Sequence, residues 1–227
     1  MKTIDDLRKL LATGQTHFAP LDKTDEGSIE DSKGKIHSYE IVHGWDFGLA
    51  SLCDKEWGEF NLQILDYIYN AAPCDQQNLL DNSLLEDAHW NWLQKHQRYH
   101  DDQYDWFFFM VDDIPQAACL VYHPKQSAVG DKPIFYIEFL AVAPWNRPNH
   151  IAKQKFKGIG SILLKNVVEF ADNNLKLSRG FSLHSLPKAQ GFYEKIGMVR
   201  YTAHDKDGMG YFEMEEATQA KFIGGIA

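Results

Sequence analysis

The chain has 227 residues and a formal net charge of −9, with 44% hydrophobic and 24% charged residues. This composition is typical of a globular protein with one well-buried core, and the chain is short for two full domains. The negative charge argues against nucleic acid as a partner and favours a cationic small molecule, such as an amine.

The cysteine pattern and the apolar runs predict a cytoplasmic location. Cys53, Cys74 and Cys119 form no CxxC pair, and their odd number is typical of free thiols in a reducing compartment. The N-terminus lacks the apolar core of a signal peptide, and no apolar run approaches the ~18 residues of a membrane span. We therefore expect no membrane association.

The first 35 residues differ in pattern from the rest of the chain. Residues 3–12 are amphipathic and predict a short helix, whereas residues 13–34 are polar and predict an irregular connector. We therefore divide the chain into an N-terminal helix and polar extension, residues 1–35, and a single domain, residues 36–227.

From residue 36 onward, strand and helix patterns alternate. The predicted strands cover residues 36–43, 106–111, 116–122, 134–142, 181–184, 199–202 and 210–214. The predicted helices cover residues 56–71, 82–100, a segment that begins near 158, and 188–196. This order predicts an α/β or α+β architecture, with helices packed on the faces of a mixed sheet of about seven strands.

The helix that begins near residue 158 has the features of an anion-binding site. Gly158 and Gly160 stand at its start, where unpaired N–H groups and the helix dipole attract phosphate. Glycine lets the backbone approach an anion closely. Lys155 and Lys157 add positive charge beside the glycines, and Ser161 adds a hydroxyl. The segment therefore predicts a phosphate-bearing ligand.

Two other phosphate motifs fit this segment poorly. The run from Gly158 begins like G-x-G-x-x-G, but Leu163 stands in place of the third glycine, and no acidic residue follows in a βαβ context. A Walker A loop requires Gly-Lys-Ser/Thr, which is absent from the segment. A dinucleotide fold and a P-loop are therefore disfavoured.

Two segments resemble motifs of the GNAT superfamily of N-acyltransferases. Residues 155–160, Lys-Phe-Lys-Gly-Ile-Gly, are similar to its pyrophosphate arm, Q/R-x-x-G-x-G/A, with lysine in the first position. Residues 189–198 are similar to its A-x-x-x-Y-E-K-x-G-F segment. The close likeness covers residues 134–214, and a looser match in element order extends back to about residue 36. Leu186 stands where the family often has asparagine, and the loop 145–154 is longer than usual.

The resemblance implies a GNAT-like fold: a mixed, mostly antiparallel, twisted sheet with helices on both faces. It implies acetyl-coenzyme A as acyl donor, with the pantetheine arm pairing along the strand 138–142, and no metal. The positions that it assigns to the cofactor are Leu140, Ala141, Val142, Lys155, Phe156, Lys157, Gly158, Ile159, Gly160 and Ser161. The backbone N–H near Val142 would polarise the thioester carbonyl.

The resemblance assigns a catalytic role to Tyr193, and the position of Glu138 in the sequence suggests one for that residue. Tyr193 matches the tyrosine that protonates the departing thiolate, and its alternative role is that of a core tyrosine. Glu138 stands inside an apolar strand and is the candidate general base, although a structural partner of a lysine or arginine is the other interpretation. Cys119 has no neighbouring histidine in the pattern, so we expect direct attack in a ternary complex.

The acceptor predicted from the sequence is a primary amine on a small molecule or peptide. The alternative is a non-catalytic GNAT-like module that binds acyl-coenzyme A or acts by interaction, and a third interpretation is a protein or aminoacyl-tRNA acetyltransferase. His96 and His100 have a spacing that can hold a metal, but no third ligand is evident. The oligomeric state stays open, a homodimer included.

Overall fold

The computed structural model describes Asp5, Arg8, Lys9 and residues 21–224. The three described residues within the predicted helix 3–12 are helical, and the rest of that helix lies outside the described residues. Residues 13–20 of the predicted connector lie outside them as well.

In the described part of the chain, eight strands form one sheet in the order β1-β2-β3-β4-β5-β6-β8-β7. All neighbouring strands are antiparallel except β5 and β6, which run parallel. The strands are β1 (Asp22–Glu30), β2 (Ile36–His43), β3 (Tyr104–Val111), β4 (Ile114–Gln126), β5 (Pro133–Val142), β6 (Phe181–Ser185), β7 (Val199–Arg200) and β8 (Gly210–Met214).

The helices connect the strands and cover the sheet. They are α1 (Phe47–Leu52), α2 (Gly58–Tyr69), α3 (Pro73–Asp81), α4 (Trp92–Arg98), α5 (Ile159–Asn174), α6 (Gln190–Lys195) and α7 (Glu216–Gly224), with a π-helical stretch, Cys53–Trp57, joining α1 to α2. None of the helices in the described residues is both long and apolar enough to cross a membrane.

Strand β3 shows that the sheet is covered on both faces. Phe107 packs edge-on against Phe170 of α5, at a ring-centroid distance of 5.1 Å. Its neighbour Trp106 points to the opposite face and contacts Trp92 of α4 at 6.3 Å. Alternate residues of a strand thus enter two separate cores. The predicted mixed, mostly antiparallel sheet with helices on both faces is confirmed, with eight strands in the described residues in place of about seven.

The prediction of an irregular connector is wrong for residues 22–30. They form β1, which pairs along its whole length with β2 at the edge of the sheet. Ile29 is the one buried residue of this strand, so the strand lacks the alternation of apolar residues that reveals a strand in a sequence. It is held by backbone pairing at the edge of the sheet. The domain boundary at residue 35 stays a prediction.

The helix predicted over residues 82–100 is present only from Trp92. It begins there because Asn91 accepts a hydrogen bond from the backbone N–H of Gln94, at 2.7 Å. Asp54 satisfies two more N–H groups of the first turn, those of Trp92 and Leu93, at 2.6 and 3.0 Å. The predicted helix 56–71 corresponds to α2, and the helical segment extends back through the π-helical stretch to α1. Helices α3 and α7 have no counterpart among the predicted helices.

Candidate functional site

Strands β5 and β6 separate near the middle of the sheet. Their parallel pairing joins Phe135 to Phe181 and Ile137 to Leu183, and it extends no further among the described residues. Strand β5 continues to Val142 along β4 alone. The edge of β5 that faces β6 is therefore without a strand partner beyond Ile137, and a gap opens in the sheet.

A β-bulge lies where the two strands separate. Phe139 pairs with Leu120 of β4, and Ile137 pairs with Val121, so Glu138 is an extra residue without a partner on β4. Bulges bend a strand and redirect its side chains, and they are common beside active sites. The bulge thus places Glu138 at the point where the sheet opens.

The strand edge in the gap presents backbone groups of Leu140 and Val142. Ala143 donates its N–H to the Gln116 carbonyl of β4 at 2.8 Å. Because hydrogen bonding alternates along an antiparallel strand, the N–H groups of Val142 and Leu140 point away from β4, into the gap. The Val142 carbonyl has the same direction, and it accepts a hydrogen bond from Arg147 Nε at 2.6 Å.

One cleft of about 460 Å³ lies between this strand edge and the start of α5, and we call it the helix-start cleft. Its wall includes Leu140, Val142, Gly158, Gly160 and Ser161. Gly158 caps the helix with φ +79°, a left-handed conformation that favours glycine, and a Cβ there would meet no atom within 4 Å. The N–H groups of the first turn precede the helical bonding, which starts from Ile162.

The loop between β5 and α5 is held by a buried polar network. The Gln116 side-chain oxygen accepts hydrogen bonds from Trp145 Nε1 at 2.8 Å and Asn146 Nδ2 at 2.9 Å. Asn146 Oδ1 then accepts from the backbone N–H of Phe156 at 3.1 Å, and Gln154 Nε2 donates to the Asn146 carbonyl at 2.6 Å. Buried networks that are fully satisfied rigidify the backbone, so the approach to the first turn of α5 is preorganised.

The segment between α3 and α4 closes one side of this cleft. Arg147 binds both oxygens of Asp87 at 2.6 Å, a bidentate pair in which both side chains are largely buried. Lys188, just before α6, donates to the carbonyls of Asp81 and Ser83 at 2.5 and 2.8 Å. These contacts explain why residues 82–91 form turns and not helix, since their groups bind loops on both sides of the cleft.

The residues that the sequence assigns to the cofactor fall into two groups. Those that lie in the wall of the helix-start cleft are Leu140, Ala141, Val142, Gly158, Ile159, Gly160 and Ser161. Lys155 and Lys157 are exposed beside the cleft. Phe156 has another role: its side chain is in the core, edge-on to His37, and its N–H is bound by Asn146.

A second cleft, of about 540 Å³, lies on the other side of the opening, between β5, β6 and the turn from β7 to β8. We call it the aromatic cleft, because its wall includes Trp90, Tyr104, Tyr122, Tyr136 and Phe139. The two clefts share four wall residues, and these mark the junction between them: Leu140, Leu186, Ala189 and Tyr193.

Glu138 lies in the wall of the aromatic cleft, beside this junction. Its carboxylate makes no hydrogen bond or ion pair with any residue that the structure describes, so the structural ion pair left open by the sequence is not present there. Burial raises the pKa of Glu138, and the nearby charges of Lys125, Lys95 and Lys206 oppose that rise. A raised pKa and an unbound carboxylate are the properties of a general base.

Tyr193 lies at the junction of the clefts and is 7% exposed. Its hydroxyl makes no hydrogen bond with a described residue. Burial, and secondarily Cys119, raise the pKa of Tyr193, so the phenol keeps its proton at neutral pH. Cys119 is fully buried, and burial raises the pKa of its thiol, which opposes a role as nucleophile.

His184 also lies in the aromatic cleft, but both of its nitrogens are engaged. Nε2 donates to the His204 carbonyl at 2.9 Å, so Nδ1 accepts the hydrogen bond from Tyr136 at 2.7 Å. This arrangement holds the imidazole in one orientation and leaves neither nitrogen without a partner. His96, which the sequence pairs with His100, is buried and stacks on Trp45 at 4.4 Å.

Sequence reasoning missed several residues of the site. Gln116, Asn146 and Arg147 position the loop, and Lys125 and Lys206 line the aromatic cleft. One signal was available: Gln116 begins an otherwise apolar strand, and a polar side chain there requires hydrogen-bond partners when it is buried. The positions of the two lysines depend on strand pairing and carry no local signal.

The sequence matches no family model and no curated protein. Among solved structures, the chain is similar to an uncharacterized protein from Bacillus halodurans, with 12% identity, a TM-score of 0.48, and coverage of 91% of this chain and 100% of that one. It is also similar to PaiA N-acetyltransferase from Thermoplasma acidophilum in complex with coenzyme A, with 12% identity, a TM-score of 0.47, and coverage of 77% and 98%. Such likenesses assign no activity to this chain.

Proposed function

We propose that this protein transfers an acetyl or short acyl group from coenzyme A to a primary amine. The observation that carries the proposal is the junction of two clefts at Leu140 and Tyr193, where β5 and β6 separate. A donor in one cleft and an acceptor in the other would meet beside a free carboxylate and a protonated phenol. Acyl transfer between two separately bound molecules requires such an arrangement.

The helix-start cleft fits coenzyme A. The first turn of α5 offers unpaired N–H groups to the pyrophosphate, and Gly158 leaves open space where a side chain would stand. The exposed charges of Lys155 and Lys157 lie beside this turn. The amide groups of an extended pantetheine arm have partners in the N–H and carbonyl of Leu140 and in the N–H of Val142, since the Val142 carbonyl is bound by Arg147. When bound, the cofactor supplies the activated acyl thioester.

The residues at the junction divide the proton transfers between them. Glu138 accepts a proton from the acceptor ammonium, and the freed nitrogen forms a bond to the acyl carbon as the carbon–sulfur bond breaks. Backbone N–H groups of Leu140 and Val142 point toward the gap and stabilise negative charge on the carbonyl oxygen. Tyr193 gives its proton to the leaving sulfur, and the second proton that the nitrogen loses in becoming an amide restores the phenol. No acyl-enzyme is required, in accord with the buried Cys119.

Two measurements test the proposal. Calorimetry with acetyl-coenzyme A should show saturable binding, and an amine panel should release free thiol at a rate that depends on the amine. The absence of binding at millimolar ligand would refute the assigned cofactor class. Binding without turnover of any amine would refute the transfer and support the alternative of a non-catalytic acyl-coenzyme A-binding module.

A further inference from the structure

The aromatic cleft differs in charge from the protein as a whole. The chain carries a net charge of −9, yet the wall of this cleft holds two lysines, Lys125 and Lys206, and a single carboxylate, Glu138. A third lysine, Lys95, contacts a wall residue, with Nζ 3.4 Å from the ring centroid of Phe139. A ligand that is only cationic would therefore meet net repulsion in the cleft.

The two lysines of the wall are free to bind a ligand. Lys125 makes no ion pair within the described chain, and its Nζ lies 5.4 Å from the ring centroid of Tyr136. Lys206 contacts a carboxylate only at 3.9 Å, to Asp207, and both of these side chains are highly exposed. Such a contact is weak in water, so an anionic ligand could replace it at little cost.

The positive charge of Lys125 lies away from the junction of the clefts. Lys125 pairs with Ile134 near the beginning of β5, whereas Leu140 lies six residues further along that strand. Six residues of a strand span about 20 Å. The Lys125 side chain reaches over Tyr136, so its Nζ lies closer to the junction than its backbone does. Glu138 lies between them, nearer to the junction.

The space between these charges is apolar. Trp90 and Phe139 pack edge-on with their ring centroids 4.9 Å apart, and the ring centroids of Tyr104 and Tyr122, in the same wall, are 5.3 Å apart. A cleft of about 540 Å³ has the size of a site for a small molecule. Its wall therefore matches a ligand with an apolar body that carries an amine at one end and an anion at the other.

We propose that the acceptor is an amino acid-like molecule, with a primary amine and a carboxylate on one apolar or aromatic body. The amine lies toward Glu138 and the junction, and the carboxylate lies toward Lys125 and Lys206. The proposal rests on the proposed acyl transfer and adds the substrate class. A diamine would place its second ammonium beside the lysines, and a plain alkylamine would leave both lysines without a partner.

Matched pairs of amines test this proposal. 4-(Aminomethyl)benzoate and benzylamine share one reactive group and differ in the carboxylate, and 4-(2-aminoethyl)benzoate and phenethylamine form a second pair. In each pair the carboxylate-bearing member should bind at least about tenfold more tightly in calorimetry and should show the higher kcat/KM in thiol release. If benzylamine and phenethylamine bind as tightly as their carboxylate-bearing partners, or more tightly, the proposal is overturned, whatever their turnover.

Lysine variants make the test specific. Lys125→Gln and Lys206→Gln should each raise the Kd and KM of the better carboxylate-bearing member about two- to fivefold, the size expected for partly exposed ion pairs. They should not raise those of its amine partner, because each substitution removes a positive charge that repels the ammonium. Lys221→Gln, on the exposed side of α7, is the matched control and should change neither. Equal effects on both members of a pair would overturn the proposed carboxylate contact. Selective binding of the carboxylate-bearing member without any thiol release would refute the transfer while supporting the acceptor class.

Discussion

Replacing Glu138 by glutamine should remove the general base and leave the fold intact. The carboxylate makes no hydrogen bond or ion pair with a described residue, so the substitution breaks no contact of that kind. Burial raises the pKa of Glu138 because it disfavours the charged form, so a neutral side chain of the same shape should not lower the Tm. Loss of a general base typically lowers the rate about 10²- to 10⁴-fold, or about 2.7–5.4 kcal/mol in the barrier.

The assay measures thiol release from acetyl-coenzyme A between pH 5 and 9, with the best amine of the panel at concentrations well below its KM, so that the rate reports kcat/KM. Catalysis requires ionised Glu138, so kcat/KM of the wild type should fall as the pH drops through a pKa above the ordinary value of 4.5. That acidic limb should be absent from Glu138→Gln. Lys125→Gln should shift the limb to higher pH, because Lys125 lowers the pKa of Glu138.

A matched control is Glu59→Gln, at an exposed position of α2. It should keep wild-type kinetics and the wild-type pH profile. If Glu138→Gln retains more than about a tenth of the wild-type kcat/KM, or keeps the same acidic limb, Glu138 is not the base and the reasoning from the bulge is refuted.

The remaining predictions concern the phenol, the helix start and one buried histidine. Tyr193→Phe should lower kcat about 10²-fold and leave the Kd of acetyl-coenzyme A unchanged, and a parallel rise in Kd would contradict a role in proton donation. Gly158→Val should weaken acetyl-coenzyme A binding more than tenfold in calorimetry, because it fills the open space and strains a residue at φ +79°; unchanged affinity would place the cofactor elsewhere. His96 is buried with both nitrogens unpaired, and its pKa is lowered from 6.5 to about 3. As the pH falls, the unfolded chain therefore protonates at this residue before the folded chain does, and the free energy of unfolding decreases below pH 6.5. By pH 5 the loss is about 2 kcal/mol in urea unfolding, and His96→Leu should remove that part of the pH dependence.

Periodicity predicted the strands of the sheet that carry apolar side chains and failed where tertiary contacts decide the structure. Strand β5 and helix α5 follow their apolar patterns and were predicted within a few residues. Strand β1 was missed because its side chains are mostly solvated and its stability comes from backbone pairing with β2. The prediction of helix over residues 82–91 failed. These residues are held in turns by the bonds of Asp87 to Arg147, and those bonds link positions sixty residues apart, which no local window contains.

The candidate site was predictable in its motifs and not in its geometry. Gly158, Gly160 and Tyr193 could be named from the sequence because their spacing resembles known motifs. The bulge at Glu138 depends on the register between β4 and β5, and the opening of the sheet depends on where β6 ends its pairing. Lys125 reaches the aromatic cleft through the same register, so the charge of that cleft could not be inferred from the overall charge.

The central claim is that the two clefts are the donor and acceptor arms of one site, joined at Leu140 and Tyr193. A bisubstrate analogue, with the sulfur of coenzyme A linked through an acetyl spacer to the nitrogen of 4-(aminomethyl)benzoate, tests it most directly in calorimetry. It should bind at least about 100-fold more tightly than coenzyme A alone, because the second arm binds at a high effective concentration. Filling the aromatic cleft by Met209→Trp, at a half-buried position of its wall, should remove that gain and leave coenzyme A affinity unchanged. An analogue that binds no more tightly than coenzyme A would contradict the claim.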